Sequence, residues 1–204
     1  FIFFKKVKLD EKMHAQIVDE LEKTWSTHLE TDETPAEVEA EADAKTTVYQ
    51  DPVAGELISL KDVADESFAN GSMGKGFAIK PTDGRVVAPF DGEVVATFPT
   101  RHAIGLRSDT GILTLIHIGI GTVKMRGTGF VQYVEKGDHV TQGQELIEFW
   151  QPAIEKAGLD DTVMVVITNY KDMPEFTYLK DSGTTVQDDE DVLQLSNVGL
   201  PDQA

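Results

Sequence analysis

The sequence predicts an all-β protein, an antiparallel β-sandwich with few short helices, preceded by an amphipathic helix and an acidic linker. From residue 47 onward, short runs rich in Val, Ile and Phe are separated by turn signals every eight to twelve residues, which is typical of sandwiches and barrels. Only residues 152–158 in that region favour a helix. With 40% hydrophobic residues in 204, the chain can fill one globular core and has little room for a second.

Composition excludes several classes of protein. The chain has 18 Lys and Arg against 36 Asp and Glu, a formal charge of −18, so it lacks the clustered basic surface that a nucleic-acid binder needs. It has no cysteine, which excludes disulfides, thiolate metal sites and cysteine nucleophiles. Because no run approaches 18 apolar residues, we expect no complete membrane span within the sequence.

Residues 1–8 begin with four apolar residues and continue into Lys5 and Lys6. An apolar end followed by lysines is how a transmembrane helix leaves the bilayer on the cytoplasmic side, so we expect the end of a membrane span here. A frayed apolar terminus is the alternative.

Residues 9–27 carry a hydrophobic stripe at helical spacing, formed by Leu9, Met13, Ile17, Leu21 and Trp25. This pattern predicts an amphipathic helix with Asp10 as its N-cap. The stripe must be buried, either against the core of the same domain or against a membrane-embedded neighbour.

Residues 28–46 contain seven acidic residues and one lysine, with Leu29 and Val38 the only aliphatic residues larger than alanine. Such a segment cannot bury enough apolar surface to offset the entropy of ordering it. We therefore predict an acidic, flexible linker without a catalytic role.

Residues 47–196 form the predicted β-sandwich domain. Turn signals at 81–84, 89–92, 108–111 and 135–138 divide it into short strands. After a second acidic run, residues 192–195 are expected to form an edge strand and residues 197–204 a disordered tail. The best strand candidates are residues 53–60, 77–80, 85–88, 92–98, 103–107, 112–118, 146–150 and 162–168.

Two histidines lie in what is predicted to be one β-hairpin. If its loop is centred between Asp109 and Thr110, paired positions sum to 219, so His102 and His117 face each other directly. Directly opposed residues have Cβ atoms roughly 4.5 to 5.5 Å apart, close enough for both rings to contact one ligand. A three-residue loop or a bulge would shift this register.

The chemistry of such a pair follows from its surroundings. By alternation His117 shares its face with Leu113, Leu115 and Gly119, and an apolar environment favours a neutral imidazole. A neutral ring can act as a nucleophile, a metal ligand or a general base. A zinc enzyme normally uses three protein ligands, and the strands offer no third. A transient phosphohistidine fits better, with the partner imidazole and a hydroxyl such as Thr100 stabilising the phosphoryl oxygens.

Five motifs follow one another along the chain: DPVAGE from residue 51, GKGFAIKP from 74, VAPFDG from 87, TRHAIGL from 100 and LIHIGIGT from 115. Together they resemble the glucose-type enzyme IIA domain of the bacterial phosphoenolpyruvate sugar phosphotransferase system, over about residues 47–196. That family is an antiparallel β-sandwich. The resemblance implies a phosphoacceptor at His117, assisted by His102 and Thr100, and no cofactor. It also implies phosphorylation by the phosphocarrier protein HPr.

The same resemblance suggests how a partner protein docks and where this chain departs from the family. A partner is expected to contact an apolar rim and an acidic position. At Gly121 the family commonly has an aspartate, so one negative charge near the site is missing. The residues that we expect at the partner surface are Phe68, Asp65, Ile104 and Ile116.

Residues 3–18 and the acidic linker resemble the cytoplasmic exit of lactose permeases of the glycoside, pentoside and hexuronide symporter family, some of which carry a fused IIA domain. This resemblance implies regulation of a fused or neighbouring sugar transporter at the cytoplasmic face of a bacterial membrane. One alternative is a IIA domain that passes phosphate to a IIB domain. The alternative from another class is a zinc-binding protein or peptidase, with zinc held by His102, His117 and a carboxylate of a partner.

Overall fold

The computed structural model describes residues 45–172 and 175–197, which contain fourteen β-strands, two short α-helices and three 3-10 turns. In chain order the elements are β1 (Lys45–Gln50), β2 (Gly55–Ser59), α1 (Glu66–Ala69), β3 (Lys75–Pro81), β4 (Arg85–Val87), β5 (Gly92–Thr97), β6 (Ala103–Ser108), β7 (Leu113–Ile120), β8 (Phe130–Gln132), β9 (His139–Val140), β10 (Glu145–Phe149), α2 (Gln151–Lys156), β11 (Asp160–Ile167), β12 (Glu175–Tyr178), β13 (Thr185–Val186) and β14 (Asp191–Asn197). The 3-10 turns are Leu60–Asp62, Thr122–Met125 and Tyr170–Asp172.

The strands form three antiparallel sheets. The largest has eight strands in the order β13-β2-β3-β11-β7-β6-β5-β9. Two three-stranded sheets have the orders β1-β14-β12 and β4-β10-β8. The predicted all-β, antiparallel sandwich with few short helices is therefore confirmed.

The middle of the eight-stranded sheet is buried on both faces. Strands β7 and β11 lie side by side there, and their sequences LTLIHIGI and DDTVMVVI are nearly continuous apolar runs. A strand covered on both faces needs apolar side chains in both directions, so it loses the alternation of a half-exposed strand. This is why the polar His117 within β7 stands out.

Each face of the large sheet packs into its own hydrophobic cluster. The larger cluster, the main core, includes Ile104, Ile116 and Val165. The smaller cluster, the site cluster, lies on the opposite side of the same strands and includes Phe68, Leu115 and Met164. Alternate residues of one strand thus serve two separate cores.

Most predicted strands agree with the structure to within one or two residues at each end, and the predicted helix at 152–158 corresponds to α2. The strand predicted at 192–195 lies within β14, but it is not the edge strand that we expected, because β14 lies between β1 and β12. Strand β1 begins at Lys45, so the last two residues of the predicted linker belong to the sandwich. The expectations for residues 1–8, 9–27, the rest of the linker and the tail from residue 198 lie outside the described residues.

No helix within the described residues is long and apolar enough to cross a membrane.

A buried carboxyl group lies between β1 and β2. Asp51 is fully buried, and burial raises its pKa from 3.8 to about 8. The nearby backbone N–H of Val53 opposes this rise in pKa, whereas the negative charges of Asp188 and Glu190 add to it. Asp51 therefore stays protonated in the folded protein well above the pH at which an exposed aspartate ionises.

Candidate functional site

The β6–β7 hairpin has a register one residue away from the predicted one. Ala103, not His102, lies opposite His117, and paired positions sum to 220. The loop consists of three residues, since the Ser108 N–H donates to the Ile112 carbonyl at 2.9 Å and Gly111 has a φ of +88°. A glycine in the left-handed conformation is what such a loop requires.

The two imidazoles nevertheless meet. Their ring centroids are 4.8 Å apart with an interplanar angle of 85°, an edge-to-face arrangement. His102 lies just before β6, after a turn in which the Arg101 N–H donates to the Phe98 carbonyl at 2.8 Å and Arg101 has a φ of +54°. That turn, and not strand alternation, aims the His102 ring at His117.

A threonine hydroxyl orients the second histidine. The Thr100 Oγ1 and the His102 Nδ1 are 2.7 Å apart and share a hydrogen bond. When the hydroxyl donates to Nδ1, the proton of a neutral His102 ring is on Nε2. The three predicted site residues Thr100, His102 and His117 are thus brought together.

Both histidines lie in apolar surroundings. His117 has Ala103 on one neighbouring strand and Met164 on the other, and the Phe68 ring lies 5.4 Å from its ring centroid. His102 is 2% exposed and His117 is 4% exposed, so only an edge of the pair reaches the surface. A low local dielectric strengthens hydrogen bonds and charge interactions at such an edge.

Helix α1 places Phe68 beside the pair. The Asp65 carboxylate caps this helix by accepting a hydrogen bond from the Ser67 N–H at 2.9 Å. The predicted partner residue Phe68 is fully buried and forms a wall of the site rather than an exposed rim. Asp65 is half-buried and has a structural role in positioning that wall.

The predicted partner contacts Ile104 and Ile116 are wrong. Both residues are fully buried in the main core, on the sheet face opposite His117. They lie directly opposite each other across β6 and β7. Because side chains alternate between faces, the neighbour of His117 in sequence necessarily points away from the site.

The turn that follows His117 was not recognised from the sequence as part of the site. Gly119 has a φ of +73°, and a Cβ there would lie 2.8 Å from the Asp160 carbonyl oxygen. The Thr122 hydroxyl donates to the Ile118 carbonyl at 2.5 Å and closes the turn. The Gly-Ile-Gly-Thr sequence at 119–122 is the signal that could have indicated it.

Gly121 occupies the position at which the family commonly has an aspartate. A Cβ at Gly121 would lie 3.0 Å from the Lys124 Nζ, so an aspartate there would contact that ammonium group directly. Glycine at this position supplies no carboxylate to Lys124.

Within residues 45–172 and 175–197, no group of three or more His, Asp or Glu side chains could hold a metal ion. His102 and His117 can supply two nitrogen ligands, and a third would have to come from a partner. Zinc at this pair stays a prediction.

Comparison with known proteins agrees with the fold. The family described as phosphoenolpyruvate-dependent sugar phosphotransferase system, EIIA 1, matches residues 47–173. The chain is 50% identical over 196 residues to a raffinose carrier protein of Pediococcus pentosaceus, covering 95% of this chain and 30% of the carrier. It is 45% identical over 194 residues to a lactose permease of Lactobacillus delbrueckii subsp. bulgaricus, again covering 95% of this chain and 30% of the permease. The chain thus spans about 30% of the length of these relatives.

Two further likenesses cover the sandwich domain alone. A β-glucoside-specific EIIBCA component of Dickeya chrysanthemi is 48% identical over 160 residues, covering 73% of this chain and 25% of that protein. The solved structure of glucose permease IIA from Mycoplasma capricolum has a TM-score of 0.69 at 30% identity, covering 74% of this chain and 96% of the other. The resemblance found in the motifs is confirmed: the chain belongs to the EIIA type 1 family of the phosphoenolpyruvate-dependent sugar phosphotransferase system.

Proposed function

We propose that this domain accepts a phosphoryl group on His117 and that the group is donated by the phosphohistidine of HPr. The observation that carries the proposal is the edge-to-face pair of His102 and His117, with ring centroids 4.8 Å apart and Thr100 hydrogen-bonded to His102. Family membership supports phosphoryl transfer as the chemistry.

The Nδ1 atom of His117 is enclosed by the protein, so Nε2 is the nitrogen that we assign as the nucleophile. Its lone pair attacks phosphorus in line with the bond to the donor imidazole. The new N–P bond forms as the old one breaks, and the donor nitrogen keeps the electron pair of the broken bond. No water or metal takes part in this exchange between two imidazoles of similar basicity.

His102 is assigned to stabilise the transferred group. With its Nδ1 accepting from Thr100, His102 carries its proton on Nε2, which is itself buried before a phosphoryl group arrives, and we assign this N–H as the donor to a phosphoryl oxygen. A hydrogen bond to a charged group contributes about 1.5 to 3 kcal/mol. The donor is positioned before the reaction because Thr100 fixes the ring, so no reorganisation is needed during transfer.

The donor protein docks over the exposed edge of the pair. Phe68, Ala103 and Met164 are fully buried beneath this edge and give the histidine pair an apolar environment. Phosphorylation adds about two negative charges at the edge itself, which changes how the surface meets any partner. We infer that this change is how the domain regulates a fused sugar symporter of the raffinose or lactose carrier type, at the cytoplasmic face of a bacterial membrane.

The extent of similarity favours the symporter over a sugar phosphotransferase. The two carriers match 95% of this chain, whereas the β-glucoside EIIBCA component matches 73%. The additional matched length shows that the carriers resemble the region before the sandwich as well. A IIA domain that passes phosphate to a IIB domain is the second candidate, supported by the 48% identity to the EIIBCA component.

The test is incubation of the 204-residue chain with phosphorylated HPr, followed by separation of the phosphorylated form and assay of its acid lability. The wild-type chain should acquire one acid-labile phosphoryl group. His117→Gln should acquire none, while the matched variant His139→Gln, at an exposed histidine, should behave as wild type. Stoichiometric acid-labile label on His117→Gln would refute the assignment.

A second measurement separates the two candidate functions. The phosphorylated chain is mixed with a β-glucoside-type IIB domain, and loss of label is followed over time. Return of phosphate to HPr without transfer to IIB supports a regulatory domain. Rapid transfer to IIB supports the phosphate-passing alternative. In either case His102→Gln should accept label on His117 but release it more slowly to its acceptor.

A further inference from the structure

The β4-β10-β8 sheet has one buried face and one exposed face. Its inner face carries Phe130, Ile147 and Phe149, which belong to the main core. On its outer face, the exposed side chains of Val131 and Glu148 lie directly opposite each other across β8 and β10. A half-exposed antiparallel sheet normally places polar residues outside, so an apolar residue on the outer face is an exception that needs a reason.

Two aromatic side chains extend this apolar outer surface. Trp150 follows Glu148 by two positions in extended backbone, its N–H donates to the Gly129 carbonyl at 2.8 Å, and its side chain is 65% exposed. Tyr133 is 52% exposed, and its hydroxyl donates to the Glu148 Oε2 at 2.6 Å. Together with Val131, which is 47% exposed, these two residues form the aromatic patch. Clustered exposed apolar side chains mark interaction sites, whereas single ones are ordinary.

The aromatic patch lies on the opposite side of the sandwich from the histidine pair. The β4-β10-β8 sheet covers the main core, whereas His117 faces the site cluster on the other face of the eight-stranded sheet. The 3-10 turn at 122–125 connects the two sides, because it follows the strand of His117 and ends at Met125. A Cβ at Gly129 would lie 3.7 Å from the Met125 Cε and 4.0 Å from the Trp150 Cβ. A protein bound at the patch would therefore leave the histidine face open to HPr.

Carboxylates border the aromatic patch. Arg85 lies opposite Glu148 on the other neighbouring strand, and its guanidinium binds Asp188 at 2.6 Å. The hydrogen bond to Asp188 raises the pKa of that guanidinium, and the nearby charges of Glu145 and Asp83 add to this rise. Within the described residues, neither Glu145 nor Glu148 forms an ion pair. These five side chains comprise four carboxylates and one guanidinium, a net charge of −3 beside the patch.

Exposed aromatic rings beside carboxylates suit a partner with basic side chains. Lysine and arginine bind both the faces of indole and phenol rings and carboxylate oxygens. The cytoplasmic loops of membrane transporters carry an excess of these two residues. By contrast, a second copy of this chain, which has a net charge of −18, and an anionic lipid surface would both be repelled. Charge complementarity therefore favours the cytoplasmic surface of a transporter.

We propose that the aromatic patch binds a basic cytoplasmic segment of the sugar transporter that this domain regulates. The proposal rests on the regulatory function proposed above and adds the surface by which the transporter is held. A cationic side chain of the partner stacks on Trp150, while neighbouring ones pair with Glu148 and Glu145. Because the histidine pair lies on the other side, the domain remains docked while HPr phosphorylates it.

Co-sedimentation tests the proposal on the whole 204-residue chain. Because the sequence has no cysteine, Ala204→Cys provides a single site for a fluorescent label. The probe is the raffinose carrier protein of Pediococcus pentosaceus, reconstituted in vesicles without the region that this chain matches, and raffinose uptake verifies that the probe is folded. The labelled chain should sediment with these vesicles but not with bare vesicles of the same lipids. Binding should weaken as the NaCl concentration rises from about 0.05 M to about 1 M, because salt screens exposed charges.

Matched variants separate the aromatic and the charged contributions. Trp150→Ser should weaken binding about tenfold or more, as expected for a central aromatic anchor. Glu148→Gln should weaken it by about threefold at low salt, the size expected for a solvent-exposed ion pair. Leu179→Ser and Glu56→Gln, at an exposed apolar residue and an exposed carboxylate outside the patch, are the controls and should bind as the wild type does. Circular dichroism should show the wild-type fold in all four variants.

Three outcomes would overturn the proposal. Binding of Trp150→Ser as tight as that of the wild type would show that the patch is not the docking surface. Equal sedimentation with bare vesicles that contain phosphatidylglycerol would assign the patch to the membrane. A dimer of the wild-type chain in analytical ultracentrifugation that Trp150→Ser abolishes would assign it to a second copy.

The phosphorylation assay on the same preparation separates this inference from the proposed function. A chain that HPr phosphorylates but that does not bind the carrier vesicles would overturn the docking surface and leave phosphoryl transfer intact. A chain that binds these vesicles through Trp150 but is not phosphorylated would support the docking surface and overturn the assignment of His117.

Discussion

The buried carboxyl group of Asp51 should make the stability of this domain fall as pH rises, and replacing it with asparagine should remove that dependence. Burial raises the pKa of Asp51 from 3.8 to about 8. Between these values the folded protein holds a proton that the unfolded chain has released, so the free energy of unfolding decreases with increasing pH. About four pH units at about 1.4 kcal/mol per unit give about 6 kcal/mol, an upper limit because neighbouring groups relax around the ionised carboxylate.

The assay is urea denaturation of the wild type and Asp51→Asn between pH 5 and pH 9, followed by circular dichroism. The two proteins share every other titratable group, so the difference in their free energies of unfolding isolates Asp51. Only the three units from pH 5 to pH 8 fall within this window, so the asparagine variant should gain about 2 to 4 kcal/mol on the wild type between pH 5 and pH 9. Asp189→Asn, at an exposed aspartate, is the matched control and should show no such trend. A wild-type-to-Asp51→Asn difference that stays constant from pH 5 to pH 9 would refute the buried, protonated carboxyl group.

Three other substitutions test the site. Thr100→Val should leave His117 able to accept phosphate but slow the transfer from phosphorylated HPr about tenfold in rapid-quench measurements, because loss of the hydrogen bond that orients His102 raises the activation free energy by about 1.4 kcal/mol. Thr100→Ser should restore the rate, and a normal rate in the valine variant would exclude the orienting role. Phe68→Leu should lower the free energy of urea unfolding by about 1 kcal/mol through loss of the aromatic contact with His117, and an unchanged urea midpoint would contradict that contact. Ile116→Ala should lower the free energy of unfolding by about 2 to 5 kcal/mol, because it leaves a cavity in the main core, while the folded variant is still phosphorylated at the normal rate. Unchanged stability with slow phosphorylation would instead indicate that Ile116 contacts the donor protein.

The sequence predicts the strands of the sandwich well where apolar runs are long. Strands β7 and β11 are largely apolar segments of eight residues, bounded by glycine or acidic turns. Their short length and their many β-branched residues favour a buried strand over a buried helix. Strands β9 and β13 have two residues each and were not predicted, because two residues carry no periodicity. The central position of β14 depends on partners about 20 and 150 residues away in sequence, so local pattern alone suggested an edge.

The histidine pair was predicted for a reason that is only partly correct. Direct pairing of His102 with His117 requires a loop with an even number of residues, and the left-handed Gly111 produces a three-residue loop instead. The rings still meet because the turn containing Arg101 redirects His102. A left-handed conformation at a non-glycine residue is rare and has no sequence pattern that announces it. Ile104 and Ile116 were wrongly predicted as partner contacts because their place on the sheet face opposite His117 was not taken into account.

The pairing of Lys45 with Asn197 places the two ends of the described chain side by side at one end of the β1–β14 ladder. A pull on the chain before Lys45 would open the β1–β14 ladder from its end, breaking hydrogen bonds one after another instead of all together. Such unzipping needs far less force than shearing two strands along their length. Tension on the chain before Lys45 would therefore separate strands of the β1-β14-β12 sheet first. The two histidines, which belong to the eight-stranded sheet and the turn beside it, would keep their spacing.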